Sequence, residues 1–287
     1  MVAADAFTVR FWGVRGSIAC PGPETVRYGG NTSCLEVSCG DRRLIFDAGT
    51  GLRPLGDALA TGGEALDGDI FLTHTHLDHI YGLPFFRPFF VARNRFRIWA
   101  GHLVPDHALK TVVCQMMMSP LFPVPPEVFA ADIEYRDFTA GETLRPASGI
   151  EIRTTTLDHP DRATGYRVEF DARSFCYITD IGHVAGQHDA ALVEFVSGSD
   201  MMVYDSTYTD EEFPQFSHFG HSTWQEGMRI ADAANVGRLV IFHHDPSHDD
   251  AFMDVVAAEA AAARPGTVVA REGMALSPGA PVPGDPD

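Results

Sequence analysis

Nothing in the 287-residue chain reaches the roughly 18 consecutive apolar residues that cross a bilayer, so no membrane partner is expected. The opening Met1-Val2-Ala3-Ala4-Asp5-Ala6 carries neither the basic nor the apolar stretch of a secretory leader. Cysteines are few and odd in number. Cys20, Cys34, Cys39, Cys114 and Cys176 form no CxxC pair, and they read as reduced thiols of a cytoplasmic protein rather than a disulfide frame. Basic residues are also scarce: 21 Lys and Arg stand against 39 Asp and Glu, for a formal charge of −18. Affinity for nucleic acid is carried mainly by cations on phosphates. A chain this acidic, without a Lys/Arg cluster, is therefore not expected to hold tRNA or another structured nucleic acid. Solubility is the plain reading of the surplus acid. What is present is ordinary for a globular protein, with 45% apolar and 21% charged residues. That length suits one large core, alone or as a homodimer.

Apolar residues switch between period-two and helical spacing along the chain. Strands are expected at 7–12, 35–38, 43–46, 70–73, 96–99, 151–155, 166–170, 174–179, 201–204, 238–242 and 267–270. Helices are expected at 51–59, 78–83, 105–116, 187–195, 222–234 and 249–263. The strands arrive in groups with single helices between the groups. That predicts an α+β fold of sheets covered by helices, not a strictly alternating doubly wound sheet. No linker divides the chain, so residues 1–276 read as one domain and the proline-rich 277–287 as a disordered tail. Pro120 to Pro126 reads as an irregular loop. Phe85, Phe86, Phe89, Phe90 and Met116 to Met118 are assigned to the core.

The densest chemistry lies in Thr73-His74-Thr75-His76-Leu77-Asp78-His79, directly after Ile70-Phe71-Leu72. A strand places His74 and His76 on one face, because its side-chain period is two. The chain must then turn, which lets Asp78 and His79 face a second ion a few ångströms away. Imidazole and carboxylate ligands suit zinc first, with manganese or iron as alternatives. A histidine-rich surface loop accounts for one HxH pair far better than for HxHxDH. Four ligands do not complete two sites, so partners must come from downstream. His159, Asp180 and His243 each end an apolar run, where loops gather at one sheet edge. Singly, each is as ordinary as any strand-end polar residue. Together with HxHxDH they complete a set.

In this order, HxHxDH, Leu157-Asp158-His159, Thr179-Asp180 and then strand-His243, the chain resembles the metallo-β-lactamase superfamily over roughly residues 7 to 275. It is most similar to the ribonuclease Z and small phosphodiesterase branch. His159-Pro160 followed by Thr164-Gly165-Tyr166-Arg167-Val168 resembles that branch's histidine and Gly-Tyr-Arg strand, and Gly220-His221-Ser222-Thr223 its His-Ser-Thr motif. The resemblance implies a four-layered αββα sandwich with the site at one edge. It also implies His74, His76 and His159 on one divalent ion, Asp78, His79 and His243 on a second, and Asp180 bridging both. Gly29 to Ser33 and Asp47 to Gly51 resemble the fold's first hairpins. Asp47 is either a plain turn residue or an acceptor that orients a ligand histidine.

Two ions about 3.5–4 Å apart activate a shared water and clamp both oxygens of an in-line displacement, as hydrolysis of an anionic phosphodiester requires. Asp78 is a candidate to orient or deprotonate that water. His221 is the candidate general acid for the departing alkoxide, paired with Asp205. Here the chain departs from the branch, with Tyr204-Asp205 where His-Glu is usual. His218, His244 and His248 are nearby substitutes, and Asp245 and His248 read as solvated loop residues. The branch's tRNA-processing enzymes carry a glycine- and base-rich arm, which has no counterpart between these motifs. The expected function is thus hydrolysis of a small or cyclic phosphodiester. Competing readings on the same fold are a lactone, thioester or β-lactam hydrolase, a dinuclear redox or sensor domain, and a metal-bound scaffold without turnover. The redox relatives carry Glu where His76 stands here.

Overall fold

The computed structural model describes residues 6–187 and 189–280. The first six strands are β1 (Phe7–Gly13), β2 (Cys34–Cys39), β3 (Arg42–Phe46), β4 (Asp67–Leu72), β5 (Arg95–Ala100) and β6 (Asp132–Asp137), and they lie side by side in chain order. The next seven are β7 (Thr143–Leu144), β8 (Glu151–Leu157), β9 (Ala163–Phe170), β10 (Arg173–Ile178), β11 (Met201–Asp205), β12 (Arg238–Phe242) and β13 (Val268–Val269). They form a second sheet, again in chain order. β14 (Ala275–Leu276) crosses back to pair with β1. Both sheets are mixed: β1 to β3 and β7 to β10 run antiparallel, whereas β3 to β6 and β10 to β13 run parallel.

Strand sequence explains the layering. In β4, Phe71 faces one way and Ile70 and Leu72 the other; in β10, Phe175 and Tyr177 oppose Cys176 and Ile178. Strands buried on both faces read as continuous apolar runs rather than alternating ones. Their inner faces meet in a shared core, where Phe46 packs on Phe71, Tyr166, Phe175 and Tyr177 at ring separations of 5.3 to 6.1 Å. Each such ring, taken wholly out of water, contributes roughly 1.5–3 kcal/mol. The outer face of the first sheet is covered by α1 (Leu52–Ala60), α2 (Leu77–Ile80) and α3 (Leu109–Met116). α4 (Ala190–Val196), α6 (Trp224–Ala233) and α7 (Asp250–Ala263) cover the second, while the short α5 (Phe213–Phe216) lies in the connection before α6. The result is the expected αββα sandwich. Thr223 caps α6 by accepting the Glu226 N–H (3.0 Å), and Asp249 caps α7 through Phe252 N–H (2.7 Å).

Departures from the sequence reading are local. The edge strand β6 was not expected, because Asp132, Glu134, Arg136 and Asp137 leave only Ile133 and Tyr135 to mark it. α3 begins at Leu109 rather than residue 105, where Asp137 Oδ1 accepts the Leu109 N–H at 2.8 Å. Of the residues assigned to the core, Phe86, Phe89 and Met117 are buried there, but Phe85, Phe90 and Met118 are exposed. The tail expected from residue 277 starts with an anchored turn: Ala280 N–H donates to Ser277 O, and Arg173 and Arg238 donate to the Pro278 and Ala280 carbonyls. Residues 281–287 lie outside the described residues.

Candidate metal centre

Apart from His221, every residue of the predicted set lies at or just beyond the carboxyl end of a strand. His74 to His79 follow β4, His159 follows β8, Asp180 follows β10, Asp205 ends β11 and His243 follows β12. The parallel runs put these ends on one edge, where ligand-binding loops of such sheets gather. Two groups of ligand atoms result. His74, His76 and His159 form one; Asp78, His79, Asp180 and His243 form the other. Asp180 stands between them. Its Oδ1 lies 3.7 Å from both His74 Nε2 and His159 Nε2, and its Oδ2 lies 3.1 Å from His79 Nε2 and 3.3 Å from His243 Nε2. Asp78 Oδ2 is 3.3 Å from His79 Nε2 and 3.6 Å from His243 Nε2. His76 turns Nδ1 toward His159 Nε2, at 3.1 Å.

The far nitrogens of three of these histidines are tied down. His79 Nδ1 donates to Asp47 Oδ2 (2.8 Å), His159 Nδ1 to Gly220 O (2.8 Å), and His243 Nδ1 to Thr207 Oγ1 (3.0 Å). Donation from Nδ1 fixes the tautomer in which Nε2 keeps its lone pair. The Nε2 atoms of His74, His79 and His243 are buried without a hydrogen-bond partner. Buried polar atoms are rarely left this way, so three converging on one carboxylate mark a place for a cation. Asp47, Asp180 and His243 also adopt left-handed backbone, at φ of 59°, 58° and 63°. Such strain in residues other than glycine clusters where function requires it.

Charge agrees with geometry. Burial resists ionisation of Asp78 and Asp180, yet the surrounding imidazoles hold both carboxyls well below the usual range. Burial pulls His74 well below its ordinary value, which keeps it neutral and able to bind a cation. Burial lowers the His79 imidazole, but Asp180, Asp78 and Asp47 outweigh it and hold it well above its ordinary value, with a proton that a bound cation would displace. Carboxylates and imidazoles together are the donor set of zinc, manganese or iron.

His221 stands beside this cluster, its ring 5.0 Å from that of His243 and 5.3 Å from that of His159. Its Nδ1 donates to Asp205 Oδ2 at 2.9 Å. Asp205 is held by N–H donation from Ile181 (3.2 Å) and Thr207 (3.0 Å), so the shorter carboxylate does reach His221. Burial lowers the His221 imidazole, but Asp205, then Asp180 and Asp78, outweigh it and carry it up to about 9. Tyr204 points elsewhere, bonding Ser222 Oγ at 2.9 Å. Of the substitutes considered, His244 is buried on Ala270 O, His248 is buried on Glu212 rather than solvated, and His218 is exposed.

Residues missed by sequence reasoning complete the surroundings. Tyr177 crosses from the second sheet to donate to Asp47 (2.8 Å). Thr207 anchors His243, and the only local signal was a Ser-Thr pair at a strand end. His102, buried beside His74 and bonded to Thr75 Oγ1 at 3.1 Å, carries no signal because β5 brings it there. Among the described residues, one cavity of about 560 Å³ lies past His76, one of about 380 Å³ past Asp78 and one of about 380 Å³ past His221. Among the described residues that line them, Arg162 is the one Arg or Lys, and Asp106 pairs with it at 3.0 Å.

Residues 42–244 match the family model of the beta-lactamase superfamily domain, a span holding every candidate ligand above. The chain belongs to this superfamily. Ribonuclease Z from Gemmatimonas aurantiaca is 23% identical to it, over 93% of this chain and 95% of that one. Among solved structures, a diphosphatase of the PhnP family is 18% identical, with a TM-score of 0.69 over 94% of this chain and 96% of that one. Human tRNase Z, short form, is 19% identical, with a TM-score of 0.64 over 95% of this chain and all of that one. The superfamily member described here is therefore a ribonuclease Z-like chain on a metal-dependent hydrolase fold. Relatives named for RNA weigh against the sequence reading that set nucleic acid aside.

Proposed function

We propose that the chain is a dinuclear metal-dependent phosphodiesterase that cleaves a small or cyclic phosphodiester, with His221 as general acid. The carrying observation is the 2.9 Å bond from His221 Nδ1 to Asp205, on a ring set against His159 and His243. His74, His76 and His159 would hold one ion, Asp78, His79 and His243 the other, and Asp180 both. Zinc suits this donor set best. When bound, the ions would supply an activated water and neutralise the charge of the diester.

The side chains do the remainder. Asp205 holds His221 in the tautomer that leaves Nε2 for the departing oxygen and favours the charged ring. Cations at the neighbouring ligands would draw the His221 proton back toward neutral pH, where donation is easiest. Asp78, fixed by the Ser17 N–H at 2.8 Å, orients the attacking water. One water is consumed, one P–O bond forms and one breaks. The departing alcohol leaves with the His221 proton, and the proton given up by the water passes to solvent, from which His221 is reprotonated. Carboxyl-derived substrates need that acid less, which is why lactone or β-lactam hydrolysis ranks second.

A small substrate fits the mouth better than folded RNA, since Arg162 alone among its linings is an Arg or Lys. The relatives' names keep RNA in the test. Metal-reconstituted protein is assayed on a cyclic nucleotide, bis-p-nitrophenyl phosphate, a precursor tRNA, a lactone and a β-lactam. Turnover of the two small diesters is expected; turnover confined to the last two, or to the tRNA, overturns the proposal. His221→Ala should cost about 10²–10⁴-fold on an alkyl diester and far less with a p-nitrophenyl leaving group, which needs little protonation. Equal losses would refute the acid role.

A further inference from the structure

We infer that the cavity beside His221 receives the cationic end of an amino alcohol, released as the leaving group of the diester; this rests on the phosphodiesterase reading above. A general acid must face the departing oxygen, so whatever that oxygen carries extends into the space His221 lines. That space holds about 380 Å³ and is walled by Tyr208, Phe216, Phe219, Glu212 and Asp245.

The walls are specific in chemistry. Tyr208 and Phe216 stack at 4.9 Å, and Phe219 leans against Phe216 at 6.1 Å with half its surface open to solvent. Aromatic faces attract cations through the ring quadrupole, most strongly where water is thinned. Two carboxylates stand among these rings. Glu212 is fixed by the Thr209 N–H and hydroxyl, both at 2.8 Å, and by His248 at 2.9 Å. Asp245 uses Oδ1 for the Ser247 N–H (2.8 Å) and hydroxyl (2.6 Å), and among the described residues its Oδ2 accepts no hydrogen bond. No Arg or Lys is among the described residues that line the cavity. An anionic arm would be repelled, and a neutral alkyl arm would strip water from the carboxylates without return. A quaternary or primary ammonium satisfies both the rings and the acids. The aromatic surface favours the quaternary ion, which has no N–H to lose to water.

The test uses the metal-loaded protein and two methyl phosphodiesters that differ in one atom of the other arm. One releases choline, the other 3,3-dimethylbutanol, its uncharged isostere. The kcat/KM for the choline diester should exceed that of the isostere by about tenfold. Phe219→Ala and Asp245→Asn should each cut this ratio at least threefold. Replacing choline by ethanolamine tells a quaternary site from a primary-ammonium one, and preference for either cation over the isostere supports the proposal. Equal rates for charged and neutral arms, or ratios unmoved in both variants, overturn it. Calorimetric titration with choline provides a readout apart from turnover. If neither diester is hydrolysed, the phosphodiesterase reading fails. Choline binding lost in both variants would then still support the cation site, and its absence in the unaltered protein would overturn that as well.

Discussion

Asp47 offers the sharpest test of how the fold holds its ligands. It is fully buried at the end of β3, where its two oxygens receive the Thr73 N–H, the Thr73 hydroxyl, Tyr177 OH and His79 Nδ1–H, all at 2.8 to 3.0 Å. Every partner donates. In Asp47→Asn one oxygen becomes an NH₂ group, so it meets either the Thr73 N–H or the His79 and Tyr177 donors head-on. One buried donor left unsatisfied costs about 1–3 kcal/mol. For a domain of this size, a loss of about 2 kcal/mol lowers Tm by roughly 4–8 °C. The metal-free variant should show this fall in a thermal scan with chelator present. Removing the carboxylate behind a ligand histidine should also weaken metal binding by about 10–100-fold. At a fixed free-zinc concentration, that adds roughly 1.4–2.7 kcal/mol to the deficit of the loaded protein. Competition against a chromophoric chelator measures the affinity directly. A variant with unchanged metal-free Tm and unchanged zinc affinity would refute the orienting role.

Three further outcomes follow from the same geometry. Asp180→Ala removes the carboxylate facing both ligand groups, and elemental analysis should find fewer than two tightly held ions per chain. Two would refute the bridging assignment. Gly16→Ala places a Cβ 2.4 Å from the His243 ring, so His243 must shift off Thr207, with about a tenfold loss of zinc affinity expected by titration. His244 is pushed by burial down to about 3 from 6.5, against its bond to Ala270 O. The unfolded chain therefore takes up this proton first. The stability it contributes is present above about pH 6.5 and is lost as pH falls toward 3. Urea midpoints of metal-free protein between pH 7 and 4 should fall less steeply in His244→Gln, and parallel slopes would refute this.

Much of the His/Asp cluster was legible because its residues are tied to local pattern. HxHxDH occupies one turn, and His159, Asp180 and His243 each end an apolar run that had to be a strand. The layers were legible for the same reason, since runs such as Ile70-Phe71-Leu72 can be buried on both faces only between a helix layer and a second sheet. What escaped depended on register between elements distant in sequence. Tyr177 reaches Asp47 only because the sheets pack face to face at that level, and His102 reaches Thr75 only because β5 pairs with β4. β6 escaped because an edge strand with charge on its open side lacks a periodic apolar signal. The pairing of His221 with Asp205 was expected from the motifs, and the 2.9 Å bond between them bears it out.

The left-handed backbone at Asp47, Asp180 and His243 ties the core to the chemistry. Each residue follows a strand that runs straight and apolar through the middle of the sandwich. A strand continued past its edge would carry these side chains out into solvent, alternating between faces. Reversing the chain at one residue points the side chain back across the strand ends, where Asp180 meets His243 and Asp47 meets His79. Glycine would make that turn without strain, yet it has no ligand or orienting group to present. Left-handed backbone costs an ordinary residue about 1–2 kcal/mol. The shared core of Phe46, Phe175, Tyr177, Val240 and Phe242, on the same strands, holds the turns against that cost. A large-to-small change in this core, such as Phe242→Ala, should therefore loosen His243 before the protein unfolds. Zinc affinity should fall at temperatures where circular dichroism still reports the native sheets, and an affinity constant up to the unfolding transition would show the turns hold themselves.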